Sequence, residues 1–169
     1  YQSMAPEVMD SAQLAWLQGH LWILSGLYGC VRPFHAVEPY RLEMGAKLAV
    51  DDARDLYAFW SDKLARAIAP AGSNTTIVNL ASVEYAKAVL PHLAGDATAV
   101  TCLFGEGIRN GKPIQRSTAS KKARGSMVRW MAENKLEDAS ELTAFNIGYR
   151  HIPELSDKNT LVFMNAQAQ

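Results

Sequence analysis

Two arginines, one serine and a run of lysines and arginines are the residues of this chain best placed to do chemistry. Arg32 and Arg41 lie in LSGLYGCVRPFHAVEPYRLEMG, residues 24–45, which holds two prolines and three glycines and follows neither a helical nor a strand period. Guanidinium forks presented from fixed positions can clamp a phosphate or carboxylate, and Pro33 and Pro39 stiffen the backbone between them. Glu43 can instead neutralise one arginine in a structural ion pair. Tyr28 and Tyr40 can stack on bases or pack inward. A connection this long is expected to be functional or disordered, and this one is too apolar and aromatic for disorder.

Ser82, in VNLASVEY, follows a strand-like run and opens a helix-like one. A free helix start at the end of a strand suits an anion, and Lys87 follows one turn later. Ser82 can equally do no more than cap its own helix.

The third group is basic. Gly107 to Ala132 contains no Asp or Glu and seven cations: Arg109, Lys112, Arg116, Lys121, Lys122, Arg124 and Arg129. The whole chain balances 17 basic against 17 acidic residues, leaving ten basic against seventeen acidic elsewhere, a net of minus seven. The balanced total argues against a simple polycation, while the cluster predicts a local electropositive surface. In SKKARGSMVRWMAENKL, Lys121, Lys122 and Arg129 share one side of a helix, with Arg124 on its flank, and Ala123, Met127, Trp130 and Met131 take the other. Gly125 falls amid the basic side. A glycine there costs about 1 kcal/mol of helix propensity, and serves either close approach to a phosphate or packing against another element.

Other chemistry finds little support. Cys30 and Cys102 are too few and too isolated for a disulfide framework or a zinc site. Cys30, near Arg32, reads either as a thiol poised for peroxide or as a small packed residue. His20, His35, His92 and His151 show no ligand spacing. SGLYG is not a phosphate-binding glycine loop, and no Ser–His–Asp or paired-carboxylate arrangement stands out. An enzyme is therefore not expected, nor is a metal or a cofactor.

The elements that must position these groups are legible in outline. Asp10 to His20 reads as a helix capped by Asp10 or Ser11, and Leu21 to Ser25 as a strand leading into the irregular 24–45 stretch. Arg54 to Ala69 reads as one amphipathic helix with Leu56, Phe59, Trp60, Leu64, Ala67 and Ile68 at helical spacing. Thr75 to Leu80 and Thr98 to Phe104 read as strands, with a helix from Val83 to Leu90 between them. Asn110-Gly111 is a hairpin turn joining a strand that ends near Arg109 to one from Lys112 to Arg116. Thr118 to Leu136 is the last long helix and Ser140 to Asn146 a short one. Tyr149 to Leu155 and Thr160 to Met164 close the chain as a hairpin. The mixture predicts an α+β fold with a mixed sheet wrapped by helices.

The 169 residues, 49% of them apolar, suffice for a single domain with a core. No run has the length of a membrane-spanning helix. Two lone cysteines fit a reducing, cytoplasmic setting. The chain opens at Tyr1 rather than at Met, as a piece of a longer protein would.

LSGLYGCVRPFHAVEPYRLEMG, LYAFW, VNLASVEYAKAV and KKARGSMVRW, in this order and followed by FNIGY, resemble the YaaA family of bacterial peroxide-stress proteins. The resemblance spans nearly the whole chain. It implies a family-specific fold and a cytoplasmic protein that limits damage by hydrogen peroxide and free iron. It also implies binding to double-stranded or structured DNA through a basic cleft. On that footing Lys121, Lys122, Arg124 and Arg129 are expected on phosphates, with Arg32, Arg41, Lys87 and the Ser82 helix start shaping the cleft. Family members carry several dozen further residues ahead of the point matching Tyr1. The chain would then be the C-terminal two thirds of such a protein, and a helix-hairpin-helix element attributed to the family is expected largely in the preceding part. The alternative is an enzyme or small-ligand binder with Arg32, Arg41, Glu43 and Ser82 around an anion pocket.

Overall fold

A computed structural model of the chain describes residues 2–167. Its elements run α1 (Ser11–His20), β1 (Ile23–Ser25), β2 (Gly29–Val31), α2 (Leu56–Trp60), α3 (Lys63–Ile68), β3 (Thr76–Asn79), α4 (Val83–Ala86), β4 (Thr98–Gly105), β5 (Ile108–Arg109), β6 (Lys112–Pro113), α5 (Ser117–Glu133), β7 (Tyr149–His151) and β8 (Thr160–Asn165). Short 3-10 turns at Gln2–Met4, Pro6–Val8, Leu90–His92, Ala139–Ala144 and Pro153–Leu155 fill the connections. The chain forms two compact units, one of Gln18–Ala99 and one of Tyr1–Leu17 with Val100–Gln169.

Helix α1 starts where its capping chemistry predicts. Asp10 accepts the Gln13 N–H at 2.9 Å, and the Gln13 side chain accepts the Asp10 N–H at 3.1 Å. This reciprocal capping satisfies two backbone donors at once.

In the 18–99 unit the irregular 24–45 stretch contains a strand that its composition hides. β1 and β2 pair antiparallel, with Ser25 opposite Gly29 across a three-residue connection. Gly29 takes φ 76°, the left-handed position that closes such a hairpin. The single helix expected over 54–69 is two helices. Asp55 caps α2 by accepting the Ala58 N–H at 2.8 Å, and Ser61, at φ 47° and ψ −125°, breaks the run before α3. Ser61 and Asp62 are residues that compete with helical hydrogen bonding. The broken geometry lets the Trp60 indole donate to the Gly26 carbonyl at 3.0 Å. Of the predicted side Leu56 and Leu64 are buried, joining Met44, Ala65, Ala88 and Val89 in one core with Trp60 and Ile68 packed against it, while Ala67 is exposed. Helix α4 is also shorter than expected. After Ala86 the chain tightens, with Ala88 N–H on Tyr85 and Val89 N–H on Ala86, and enters the turn at Leu90–His92.

The other unit is built on a mixed sheet, as the sequence leads one to expect. β4 runs parallel to β8, and β8 runs antiparallel to β7. Phe104 and Phe163 are register partners and their rings stack at 5.6 Å. Phe145 meets both edge-on. The predicted apolar side of α5 is buried at Ala123, Met127 and Met131. Asn110 and Gly111 take φ 51° and 71° between β5 and β6. Two successive positive φ values are those of the tight hairpin turn that Asn-Gly favours.

Candidate functional site

The motif segments of the 18–99 unit are hydrogen-bonded to one another, and within the opening loop several bonds meet at Ser25. Its Oγ lies 2.5 Å from the Tyr40 hydroxyl and accepts the N–H groups of Leu27 and Tyr28 at 3.2 and 2.8 Å. With both acceptor sites of Ser25 occupied, its proton goes to Tyr40. Tyr40 meets Tyr28 edge-on at 5.5 Å, and the Tyr28 hydroxyl accepts the Glu38 N–H at 3.0 Å. Glu84 accepts the Gly45 N–H at 2.7 Å, while its own carbonyl accepts from the Tyr57 hydroxyl at 3.1 Å. Tyr85 is held above the usual tyrosine range by burial, with Tyr40, Glu84 and Glu43 adding to the effect. Gly26 is required by its setting: a Cβ there would stand 2.6 Å from the Leu42 carbonyl oxygen. These groups lock the loop onto its own unit.

Arg32 is part of the same lock. One guanidinium nitrogen donates to the Gly19 and Leu21 carbonyls at 2.9 and 3.4 Å, at the end of α1. The fork lies over the Trp22 ring, 3.6 Å from its centre. Burial lowers its pKa. Arg41 and Glu43 are exposed, and Glu43 pairs with neither arginine among the described residues. Lys87 is exposed with its ammonium 4.6 Å from the centre of the Tyr57 ring. Ser82 holds the N-cap position of α4, but its side chain makes no cap bond and the helix has four residues.

Burial raises Cys30 more than Arg32 lowers it, and burial pushes Cys102 up to about 12. Among the described residues no group of three or more His, Cys, Asp and Glu side chains is arranged to hold a metal ion. No helix there is long and apolar enough to cross a membrane.

The basic candidates in the second unit divide by environment. Lys121 and Lys122 are exposed on α5. Arg129 donates to Glu133 at 2.6 Å, one turn on, so its charge is met within the helix. Arg124 is not a solvent-facing flank: it is half-buried, its Nε has no partner, and burial lowers its pKa. Gly125 is packed rather than open, since an added Cβ would meet the Met4 nitrogen and the Ser3 Cβ at 3.2 Å. The 3-10 turn at Gln2–Met4 therefore occupies the spot where a phosphate would have approached. Arg109, Lys112 and Arg116, which precede α5 in the acid-free segment, are all exposed.

One polar cluster had no sequence signal. Glu106, just past β4, accepts the Tyr149 hydroxyl on one oxygen and the Asn165 amide at 2.8 Å on the other. These bonds, with Arg116 adding a smaller effect, hold its carboxyl below the usual carboxylate range. The partners lie 43 and 59 residues away, beyond any local pattern.

The geometry thus defines an α+β protein whose first unit is tightly self-bonded and whose second presents exposed cations. The family model described as peroxide stress protein YaaA matches residues 1–155, and the chain belongs to that family. A UPF0246 protein of Desulfitobacterium hafniense (strain Y51) is 44% identical over 170 residues, covering 100% of this chain and 66% of the relative. One from Pediococcus pentosaceus is 47% identical over 165 residues, covering 97% of this chain and 64% of the relative. The chain therefore spans about two thirds of the length of these curated relatives, at 66% and 64%.

Proposed function

We propose that the chain binds double-stranded or structured DNA within a cytoplasmic peroxide-stress protein, and that such binding limits damage by hydrogen peroxide and free iron. In this reading it acts by binding and carries out no reaction of its own. The observation that supports it most is the exposure of Arg109, Lys112, Arg116, Lys121 and Lys122 in a segment without a single acid. Arg109, Lys112, Lys121 and Lys122 form no ion pair among the described residues. Unneutralised cations on one segment suit a polyanion, whose bound counterions they release. The rival small-anion pocket is less well supported, because Arg32 spends one nitrogen on backbone carbonyls and stacks on Trp22.

The test is fluorescence anisotropy with labelled duplex DNA across roughly 50 to 200 mM salt. Binding that weakens steeply with salt, and that Lys121→Ala/Lys122→Ala weakens further, is expected. Binding indifferent to salt would defeat the proposal.

A further inference from the structure

The β5–β6 hairpin carries an arrangement that its own fold does not need. Arg109 and Lys112 are register partners, so their side chains stand opposite each other on one face of the ribbon. Like charges so placed repel and destabilise the pair. No acid lies between Gly107 and Ala132 to relieve them, and neither forms an ion pair among the described residues. Ile108 pairs with Pro113 and is 57% exposed. A two-stranded ribbon is marginal by itself in water, and this one spends nothing on burying its tip.

Its root is built differently. The Glu106 N–H donates to the Ile114 carbonyl at 2.8 Å, and the Ile114 N–H to the Gly107 carbonyl at 2.7 Å. Gly105 lies so close under the ribbon that a Cβ there would stand 2.8 Å from the Pro113 Cβ. The Glu106 carboxylate is fixed by Tyr149 from β7 and Asn165 from β8. The hairpin is therefore anchored to the sheet at its base and charged at its tip. Beyond β6 the chain reaches Arg116 at the N-cap of α5, and then Lys121 and Lys122 in the following turns.

We propose that the β5–β6 hairpin is an arm for the phosphate backbone of duplex DNA, with Arg109 and Lys112 as paired phosphate contacts. The repulsion between them is relieved when phosphates come between and beside them. Strand ribbons are an established way to enter a DNA groove, and the anchored root sets this one in place before binding. The inference rests on the DNA reading above and deepens it by giving the hairpin its own pair of phosphate contacts beside Lys121 and Lys122 of α5.

The decisive comparison sets the parent chain beside Arg109→Ala/Lys112→Ala, Lys112→Glu and Lys121→Ala/Lys122→Ala, each titrated with the same labelled duplex. The Arg109→Ala/Lys112→Ala variant is expected to bind more weakly, with the slope of log affinity against log salt shallower by about 2. Lys112→Glu is expected to lose more affinity still, while its thermal midpoint stays level or rises, because an opposite-charge pair replaces a like-charge one. A level midpoint excludes misfolding as the cause. If both arm variants keep the parent's affinity and slope while the helix variant loses them, the arm is wrong and the DNA reading stands. If the parent shows no salt-dependent binding, both fall together.

Discussion

Arg129 Nε lies 2.6 Å from Glu133 Oε1, one turn further along α5, so this arginine is already answered by its own helix. A phosphate would have to compete with that carboxylate. Arg129→Ala is therefore expected to change duplex affinity less than Lys121→Ala/Lys122→Ala. Its cost in stability should be about 0.5 kcal/mol, as for a surface i,i+4 pair. Glu133→Gln should act in the opposite sense, freeing the guanidinium and tightening binding. Anisotropy titrations at one salt concentration would decide; a Glu133→Gln variant that binds more weakly than the parent would count against this account.

Ser25 and Tyr40 make different demands although they share a hydrogen bond. Ser25→Ala removes the acceptor of two backbone N–H groups, those of Leu27 and Tyr28, in a partly buried turn. Unsatisfied donors of this kind cost about 1–3 kcal/mol each at most, and the turn can relax toward water. Tyr40→Phe leaves both N–H groups satisfied and removes only the hydroxyl partner. Urea unfolding should show Ser25→Ala clearly less stable than Tyr40→Phe. Equal losses would mean that the tyrosine, not the turn, holds the loop.

That loop also shows where the sequence was hard to read. Local chemistry predicted what local chemistry decides: the Asp10 cap, the Asn110-Gly111 hairpin and the buried side of α5 all appear where expected. The β1–β2 hairpin did have a local signal, a glycine closing a three-residue turn, but a proline-rich continuation masked it. The break at Ser61 was less legible, because the helical spacing of Leu56, Trp60 and Leu64 continues through it and only the reach of Trp60 to Gly26 sets it apart. For the candidate site, composition located the cations but not their state. Glu133 lies outside the acid-free window yet reaches back to Arg129, and Ser3 and Met4 cover Gly125 from the far end of the chain.

Glu106 links pH to the base of the hairpin. Its folded-state pKa is lowered from 4.5, first by the Tyr149 hydroxyl, then by the Asn165 amide, with a smaller effect from Arg116. A carboxyl held down in the folded state contributes stability that is fully present above its unfolded value and lost as pH falls through the folded one. Glu106→Gln should therefore be less stable than the parent at pH 7, by about 1–2 kcal/mol, because a neutral amide replaces the charged acceptor of both bonds. The gap between the proteins should narrow below pH 4.5. Urea midpoints at neutral and acid pH would test this; a gap that widens in acid would rule it out.

Cys102 makes the opposite case at alkaline pH. Burial raises its thiol from 9.0 to about 12 in the folded state. A thiol raised by folding contributes stability that is whole below its unfolded pKa and is lost as pH rises through the folded value. Between pH 9 and 10 this residue alone should remove about 1 kcal/mol of stability, given about 1.4 kcal/mol per pKa unit. Cys102→Ala should flatten that part of the profile even if it is less stable at neutral pH. Cys30, raised by burial against the pull of Arg32, should likewise remain a thiol at neutral pH. Both cysteines should therefore react slowly with iodoacetamide at pH 7 in the folded protein and rapidly once urea unfolds it. A Cys30 alkylated in the folded state as fast as a free thiol would show that Arg32 prevails over burial, and would return that residue to the list of peroxide-sensitive groups.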